Sequence, residues 1–436
     1  MNRKNGLIIS APTSGAGKTT VTLGMIRAFS EKGKIQPFKN GPDYIDTHFQ
    51  SLSANRSSYN LDTWAMSPSQ IFKIVASTNE SDLCIVEGSM GLFDGVINTK
   101  HFSTGSTADL ATLTGWPIIL VVDCAKQAQS SAALIHGFKN YRADIQIVGV
   151  ILNNVSSVRH QKLLESEIKK TEVPILGILP RSSEILIPER HLGLVQAEEF
   201  KDIQERLDKL AIFIKTNCDM ARIEKLANPL STCNEFKEIS IPPAQKIGLA
   251  KDHAFTFTYS HLIDSWRALG AEIMTFSPLN DEPPPKHADF IWLPGGYPEL
   301  HLKTLSSAEK FKDGLYKFSK HKPVHGECGG YMVMGKNIIG SNKKKYDMVG
   351  IFDLSTSFEK RKLNLGYRMA TVLEPFFGFT KKDILFGHEF HYTSILEKRD
   401  PPIVTVEDAY GNDLGSLGSK RDKATGTFFH VIGSFA

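Results

Sequence analysis

The sequence has few of the features that mark membrane, secreted or nucleic-acid-binding proteins. Its longest uninterrupted apolar run, near Ile118–Val122, is far shorter than the roughly 20 residues that span a bilayer. The net charge is only +4 over 436 residues, and no block of five or more like charges occurs, so we expect no nucleic-acid partner. The first five residues run into a predicted strand without a signal-peptide pattern, so we expect no secretory signal.

Cysteine is also scarce. The chain has five cysteines, none of which forms a C-x-x-C pair: Cys84, Cys124, Cys218, Cys233 and Cys328. This odd number and spacing argue against a disulfide framework and a structural zinc site, so we expect the protein in a reducing cytoplasm. Cys84 and Cys124 lie in or beside apolar runs, where a lone cysteine is most simply a small buried side chain.

What the sequence does contain is a repeated alternation of apolar runs with helical patterns. In the first half of the chain, apolar runs bounded by turn residues cover 7–9, 35–38, 83–86, 118–122, 148–152 and 175–179. This alternation predicts an α/β fold with a parallel sheet covered by helices on both faces. The pattern weakens where Asn228–Thr232 and Ile241–Gln245 resemble linker, and a second α/β series starts at Ile247. We therefore predict two domains, 1–240 and 241–436.

Residues 11–20 form the most informative segment of the first domain. They lie between an apolar run and a helical pattern and contain Gly-Ala-Gly-Lys-Thr. Such a strand–loop–helix segment cradles phosphates with backbone N–H groups, while Lys18 supplies charge and the Thr19 hydroxyl can bind Mg²⁺. A glycine-rich turn with an exposed lysine is the alternative, and Pro12 replaces the usual first glycine. We predict that ATP is bound by Ser14, Gly15, Ala16, Gly17, Lys18, Thr19 and Thr20.

Two carboxylates follow predicted strands near this loop. Asp43 comes after the run at 35–38, and Glu87 comes directly after the run at 83–86. The carboxyl ends of parallel strands lie at one edge of a sheet, and hard carboxylate oxygens suit Mg²⁺. Either acid alone would more simply cap a helix or close a turn. Because both have matching positions, we predict that Asp43 and Glu87 bind the metal together with Thr19.

A single cysteine is the main candidate for chemistry in the second domain. Cys328 lies in Gly-Glu-Cys-Gly-Gly between a strand-like run and a helical pattern, which is typical of a nucleophile elbow. A helix N-terminus would favour the thiolate, and the backbone N–H groups of Gly296 and Gly329 could form an oxyanion hole. A buried structural cysteine is the alternative, which the flanking glycines disfavour. Spacing alone does not choose the base among His325, His388, His391 and His430.

Eight motifs carry a family resemblance along nearly the whole chain. They are the segments 14–20, 41–46, 60–62, 87–95, 293–299, 327–330, 366–368 and 387–392. In this order they closely resemble the cobyrinic or hydrogenobyrinic acid a,c-diamide synthases of cobalamin biosynthesis. The resemblance implies a P-loop synthetase domain similar to dethiobiotin synthetase, followed by an α/β class I glutamine amidotransferase domain.

The resemblance also implies a ligase reaction. Glutamine would be hydrolysed through a thioester at Cys328, with His430 raising the nucleophilicity of the thiol. The ammonia would pass to the ATP site, where Mg²⁺-dependent phosphoryl transfer activates the a and c acetate carboxylates of the corrin ring. Tyr44, Ile45 and Asp94 match residues near the corrinoid. The expected partners are the corrinoid, L-glutamine and ATP, with neither nucleic acid nor membrane, and a homodimer is compatible with this plan.

Two points stay open at the level of the sequence. The commoner His-x-Glu pattern of glutaminases is absent because Val431 and Ile432 follow His430, so we predict a Cys–His dyad and leave open what orients His430. The alternative functions are a related amidotransferase for another tetrapyrrole, such as a sirohydrochlorin a,c-diamide synthase, and a P-loop regulatory protein with an inactive amidotransferase domain. The Gly-Pro-Asp-Tyr-Ile-Asp segment favours the a,c-diamide enzyme over the first alternative. The glycines around Cys328 and the small net charge disfavour the second.

Overall fold

The structure is a computed structural model that describes residues 4–78, 81–97, 103–182, 189–190, 193–194, 202–232 and 241–435. The chain divides into two compact units, Met1–Lys237 and Glu238–Ala436. Residue 240, where the predicted first domain ends, lies outside the described residues, so that boundary stays a prediction.

The first unit is a parallel sheet with helices between its strands. Its strands are β1 Asn5–Ser10, β2 Ile35–Asn40, β3 Tyr59–Leu61, β4 Leu83–Glu87, β5 Ile118–Asp123, β6 Ile147–Val155, β7 Ile175–Pro180, β8 Glu189–Arg190, β9 Gly193–Leu194 and β10 Asn228–Pro229. Its helices are α1 Lys18–Ser30, α2 Ile45–Ala54, α3 Pro68–Ser77, α4 Thr107–Thr114, α5 Ser131–Tyr141, α6 Val158–Ile168, α7 Ile203–Asn217 and α8 Met220–Lys225. All of the predicted apolar runs are strands, and their buried faces explain the continuous apolar pattern.

The strand order of this sheet is β3-β2-β4-β1-β5-β6-β7, with every pair along it parallel. The predicted parallel α/β sheet is confirmed. The prediction of linker at Asn228 and Pro229 is wrong, because these residues form β10, which pairs antiparallel with Asn5 and Gly6 of β1. Strands β2, β4 and β1 are neighbours, so the loops that follow them open at the same edge of the sheet.

The second unit begins with a parallel sheet and continues as antiparallel β-structure. Its strands are β11 Lys246–Ala250, β12 Glu272–Phe276, β13 Phe290–Leu293, β14 Val324–Glu327, β15 Asn337–Ile339, β16 Lys345–Asp347, β17 Leu354–Ser357, β18 Asn364–Val372, β19 Ile384–His391, β20 Ser394–Lys398, β21 Val404–Asp408, β22 Asp413–Leu417, β23 Ser419–Arg421, β24 Ala424–Thr427 and β25 Phe429–Phe435. Its helices are α9 Ser260–Ala268, α10 Leu302–Ser307, α11 Glu309–His321 and α12 Gly329–Met334.

Three sheets organise this unit. A six-stranded sheet runs β12-β11-β13-β14-β24-β23, a four-stranded sheet runs β16-β15-β17-β20, and a five-stranded sheet runs β22-β21-β18-β19-β25. Strand β14 lies inside the first sheet and leads directly into the turn before α12, while β25 follows β24 closely in sequence. This connection brings the last strand of the chain to the carboxyl end of β14.

The cysteines and the helices of the described residues bear on the expected disulfides and membrane spans. Cys84 and Cys124 are fully buried, as expected, and the described cysteines 84, 124, 218 and 328 are free thiols. Within the part of the chain that the structure describes, no helix has the length and apolar character needed to cross a bilayer.

Candidate active sites

The phosphate loop joins β1 to α1. Gly15 and Gly17 have positive φ angles of 74° and 98°, a conformation that glycine adopts without strain, and α1 begins at Lys18 immediately after them. The amide of Asn153 supports the loop by donating from Nδ2 to the Ala16 carbonyl at 2.9 Å. The loop therefore presents its backbone at a helix N-terminus, as phosphate binding requires.

Lys18 is buried within this loop. Its Nζ donates to the Thr13 carbonyl at 3.2 Å, and burial, together with the nearby charge of Lys39, lowers the pKa of Lys18 to about 8. Nearby carboxylates, including that of Asp94, partly offset this effect by raising the pKa of Lys18. A phosphate chain in the loop would supply the negative charge that keeps Lys18 protonated.

Thr19 and Glu87 meet at the edge of the sheet. The Thr19 hydroxyl donates to Glu87 Oε1 at 2.6 Å, and Gln50 Nε2 donates to Glu87 Oε2 at 2.8 Å. Adjacent Mg²⁺ ligands lie about 2.9 Å apart, since Mg²⁺–oxygen distances are about 2.1 Å. The Thr19 and Glu87 oxygens, now 2.6 Å apart, would therefore need to move only slightly apart to occupy adjacent ligand positions around Mg²⁺.

Asp43 caps the beginning of α2. Its Oδ1 accepts hydrogen bonds from the backbone N–H groups of Ile45 and Asp46, both at 2.8 Å. The capping role that the sequence offered as an alternative is thus present, and Oδ2 is the oxygen left for a ligand. Asp43 is exposed as a residue, but desolvation of its carboxyl group and the nearby charge of Asp46 raise the pKa of Asp43 to about 7.

Among the described residues, no group of three or more His, Cys, Asp or Glu side chains is arranged to hold a metal ion. The predicted set contains only two carboxylates, so phosphate oxygens would have to complete the coordination of Mg²⁺. That composition is typical of sites where Mg²⁺ is bound together with a nucleotide. The predicted substrate residues Tyr44 and Ile45 are buried at the start of α2, and Asp94 Oδ2 accepts from the Gly91 N–H at 2.7 Å.

Lys39 is a residue of this site that the sequence analysis missed. Its ammonium forms ion pairs with Asp46 and with Glu87 Oε1, the latter at 3.1 Å. Burial opposes its charge, but the carboxylates of Asp46 and Glu87 raise the pKa of Lys39 above its usual range. A lysine that continues an otherwise buried strand run was the available signal, because a charged side chain is rarely buried without a partner.

The second candidate site is built around the turn between β14 and α12. Cys328 has φ 46° and ψ −105°, a strained conformation for a residue with a side chain, and its N–H donates to the Thr427 carbonyl at 2.8 Å. The residue is only 2% exposed. This geometry is the sharp elbow that the sequence predicted.

The expected effect of the helix N-terminus on the pKa of Cys328 is outweighed by other contributions. Burial raises the pKa of the Cys328 thiol above its usual range, and the carboxylates of Glu299, Glu389 and Glu327 add to the effect. The Gly329 N–H acts in the other direction, but α12 has only six residues. The thiol itself donates to the Phe390 carbonyl at 3.5 Å. Burial thus favours the protonated thiol of Cys328, and a nucleophilic role would need an acceptor for its proton.

The structure brings Cys328 and His430 together at Gly295. A methyl group on Gly295 would lie 2.4 Å from Cε1 and 3.1 Å from Nε2 of His430, and 3.2 Å from Cβ of Cys328. Nε2 of the buried imidazole and Cβ of Cys328 therefore both lie beside Gly295. Only a residue without a side chain fits at this point.

The other candidate histidines have different surroundings. His325 Nδ1 lies 2.9 Å from the hydroxyl of Thr425, and His391 Nε2 lies 2.9 Å from Glu389 Oε1. His388 is paired across the sheet with His430, and burial lowers the pKa of His388 to about 3. Of the four, His430 is the one whose ring shares the Gly295 position with Cys328.

The two glycines expected at the oxyanion hole are also neighbours. A methyl group on Gly329 would lie 3.1 Å from the backbone nitrogen of Gly296. Gly296 itself has no room for a side chain, because a methyl group there would lie 2.2 Å from the Ala254 carbonyl oxygen. Backbone N–H groups at both positions thus lie close to the sulfur-bearing turn.

Two family models match this chain, one in each half. Residues 7–195 match the family model of the CobQ/CobB/MinD/ParA nucleotide binding domain, and residues 246–434 match that of the CobB/CobQ-like glutamine amidotransferase domain. Proteins named hydrogenobyrinate a,c-diamide synthase match nearly the whole chain. Those of Rhodobacter capsulatus, Agrobacterium fabrum and Mesorhizobium japonicum are 45%, 44% and 44% identical to it, each over 98% of this chain and 98% of the relative.

The fold and the two candidate sites define a class: glutamine amidotransferases in which a P-loop nucleotide-binding domain precedes the amidotransferase domain. Within that class, the identity and coverage of the relatives decide the family. The chain belongs to the hydrogenobyrinate a,c-diamide synthase family.

Proposed function

We propose that this protein amidates the a and c acetate side chains of hydrogenobyrinate, using ATP to activate each carboxylate and glutamine as the nitrogen source. One observation carries the proposal: a single chain contains both a phosphate loop with the Thr19–Glu87 pair and a buried thiol beside His430. The names of the full-length relatives support the substrate.

The glutaminase reaction uses Cys328 as nucleophile and His430 as base. The thiol proton moves to Nε2 of His430, and sulfur forms a bond to the side-chain carbonyl carbon of glutamine. The carbonyl oxygen becomes an oxyanion that the N–H groups of Gly296 and Gly329 stabilise. When the C–N bond breaks, Nε2 returns the proton to the leaving nitrogen, which departs as ammonia. Water then hydrolyses the thioester and releases glutamate.

The synthetase reaction takes place at the edge of the first sheet. The backbone of residues 14–20 holds the phosphates, Lys18 balances their charge, and a substrate carboxylate oxygen attacks the γ-phosphorus. The P–O bond to ADP breaks, and ammonia then displaces phosphate from the acyl phosphate to give the amide. Thr19, Asp43 and Glu87 would hold Mg²⁺, which would neutralise part of the phosphate charge. Tyr44, Ile45 and Asp94 are the proposed contacts for the corrinoid.

The proposal also specifies the substrates and the metal. Corrinoid, L-glutamine and ATP are the proposed substrates, and Mg²⁺ is the proposed metal. A homodimer and a cytoplasmic location stay predictions, and a size measurement in solution would test the first of these.

A P-loop regulatory protein with an inactive amidotransferase domain is the competing function. The name of the nucleotide-binding family model includes MinD and ParA, so that model alone does not separate the two functions. The strained elbow at Cys328 favours an enzyme, because an inactive domain would have no reason to retain a conformation that costs about 1–3 kcal/mol.

One assay tests the proposal directly. The purified protein is incubated with ATP, Mg²⁺ and glutamine, and with hydrogenobyrinic acid, cobyrinic acid or sirohydrochlorin in separate reactions. We expect a product from hydrogenobyrinic acid whose mass corresponds to two amidations, together with ADP, phosphate and glutamate. Amidation of sirohydrochlorin alone would replace the proposed substrate, and glutamine hydrolysis without any amidation would contradict the proposed synthetase.

A further inference from the structure

Glu327, the residue immediately before the nucleophile, lies beside the proposed base. It ends β14 and is only 2% exposed, and its Oε2 lies 3.6 Å from Nδ1 of the fully buried His430. Its other oxygen, Oε1, accepts from the Val431 N–H at 3.4 Å. One carboxylate thus faces both the imidazole and the backbone that carries it.

The two nitrogens of the His430 ring face different neighbours. Nδ1 faces Glu327, whereas Nε2 lies beside Gly295, a position that Cβ of Cys328 also approaches. A base that takes a proton at Nε2 becomes an imidazolium, which a carboxylate at Nδ1 stabilises and holds in one orientation. The separation of 3.6 Å is an ion-pair distance rather than a hydrogen bond, and such contacts often tighten only when substrate is bound.

From this geometry we propose that Glu327 is the positioning residue for His430 and supplies the carboxylate that the absent His-x-Glu pattern would otherwise provide. The proposal rests on the glutaminase function above. The acid reaches the ring from β14, the strand that carries the nucleophile, and not from β25, where Val431 and Ile432 follow His430. The predicted Cys–His dyad is thereby extended to three groups, Cys328, His430 and Glu327.

A purely structural role for Glu327 is the competing explanation. Its bond to the Val431 N–H joins β14 to β25, and losing that bond would disturb the site whatever the charge of Glu327 does. Glu327→Gln separates the two roles, because the amide oxygen keeps an acceptor for this N–H while the negative charge is lost. Glu327→Asp keeps the charge on a shorter side chain. Glu397→Gln, at a partly exposed glutamate paired with Arg399, is the matched control.

The experiment measures glutamine hydrolysis over a range of pH, with ammonia-dependent amidation as an internal reference for folding. We expect Glu327→Gln to lower kcat for glutamine at least about 10²-fold with little change in KM, since loss of the orienting carboxylate costs up to about 10⁴-fold in a comparable triad. Both limbs of the kcat/KM profile should move to lower pH, because removal of a negative charge makes neighbouring acids stronger.

Other titratable groups around this site also influence the pH profile of glutamine hydrolysis. His388 of β19 lies opposite His430 of β25, while Glu299 and Glu389 lie near the Cys328 thiol. These groups are unchanged in every variant, so a movement of the limbs in Glu327→Gln alone reports the charge of Glu327. Glu327→Asp should leave the limbs where they are in the wild type and retain more activity than Glu327→Gln.

Three outcomes would overturn the proposal. A wild-type kcat in Glu327→Gln would show that Glu327 does not position His430. A reduced kcat with an unchanged pH profile of kcat/KM would show that Glu327 has a structural role only. Equal losses in Glu327→Asp and Glu327→Gln would show that the charge does not matter. A wild-type protein that hydrolyses no glutamine would instead contradict the proposed function itself.

Discussion

The hydroxyl of Thr19 donates to Oε1 of Glu87 at 2.6 Å, although the two residues are 68 positions apart in the chain. Strand pairing explains the contact. Ile9 of β1 lies opposite Glu87 of β4, and Lys39 of β2 lies opposite Glu87 on the other side. The phosphate loop and the two acidic loops therefore leave the sheet side by side, and the site's geometry follows from the strand order.

The raised pKa of Asp43 predicts a pH dependence for Mg²⁺. With its pKa near 7 instead of its usual value near 3.8, the carboxyl group is largely protonated below pH 7, and a metal must displace that proton. The Mg²⁺ concentration for half-maximal ADP release should therefore rise as the pH falls through 7. Asp43→Asn should need more Mg²⁺ at every pH and lose this extra dependence, and a parallel dependence in both proteins would exclude Asp43 as a ligand.

Lys39 gives a prediction about stability. Lys39→Met removes the cation between Asp46 and Glu87, and breaking a buried ion pair from one side typically costs about 3–5 kcal/mol. Chemical unfolding of the first domain should show a loss of this size. Adding Asp46→Asn should recover part of it, because one carboxylate less is left without a cation. A double variant no more stable than Lys39→Met would contradict the proposed pairing.

The sequence predicted six strands of the first domain, β1, β2, β4, β5, β6 and β7, because each is largely buried and forms one mainly apolar run. It predicted Thr19, Glu87 and Asp43 because parallel strands deliver their loops to one edge. It missed the pairing of Lys39 because the partners of this lysine, Asp46 and Glu87, lie in other elements that no local pattern connects to β2.

The second domain was harder to predict from the same principles. Its antiparallel strands β18 and β19 mix buried and partly buried residues without a regular alternation, and β19 has an irregular register against β25, so their pattern is weak. The choice of His430 and the role proposed for Glu327 depend on a contact between β14 and β25, more than 100 residues apart in sequence. No local spacing encodes that contact.

Cys328→Ser tests whether the two domains perform separate chemistry. A serine hydroxyl remains protonated and is a weak nucleophile beside a base suited to a thiol, so glutamine should fail as nitrogen donor. Amidation with an ammonium salt at mildly alkaline pH should remain close to the wild-type rate, because carboxylate activation does not use the thiol. Normal use of glutamine would exclude Cys328 as nucleophile, whereas failure with ammonia in a folded protein would give the thiol domain a further role in the synthetase reaction.

Gly295→Ala tests the shared position of the nucleophile and the base. The added methyl group would lie 2.4 Å from Cε1 of His430, closer than two carbons can approach, so the imidazole must move away from Cys328. We expect glutamine hydrolysis to fall at least about 10²-fold while ammonia-dependent amidation is retained, because misplacement by about 1 Å is enough for such a loss. Gly137→Ala is the matched control, since that exposed helical position has open space around it and alanine favours the helix. If Gly295→Ala hydrolyses glutamine as fast as Gly137→Ala does, then His430 does not act on Cys328 from the position seen here.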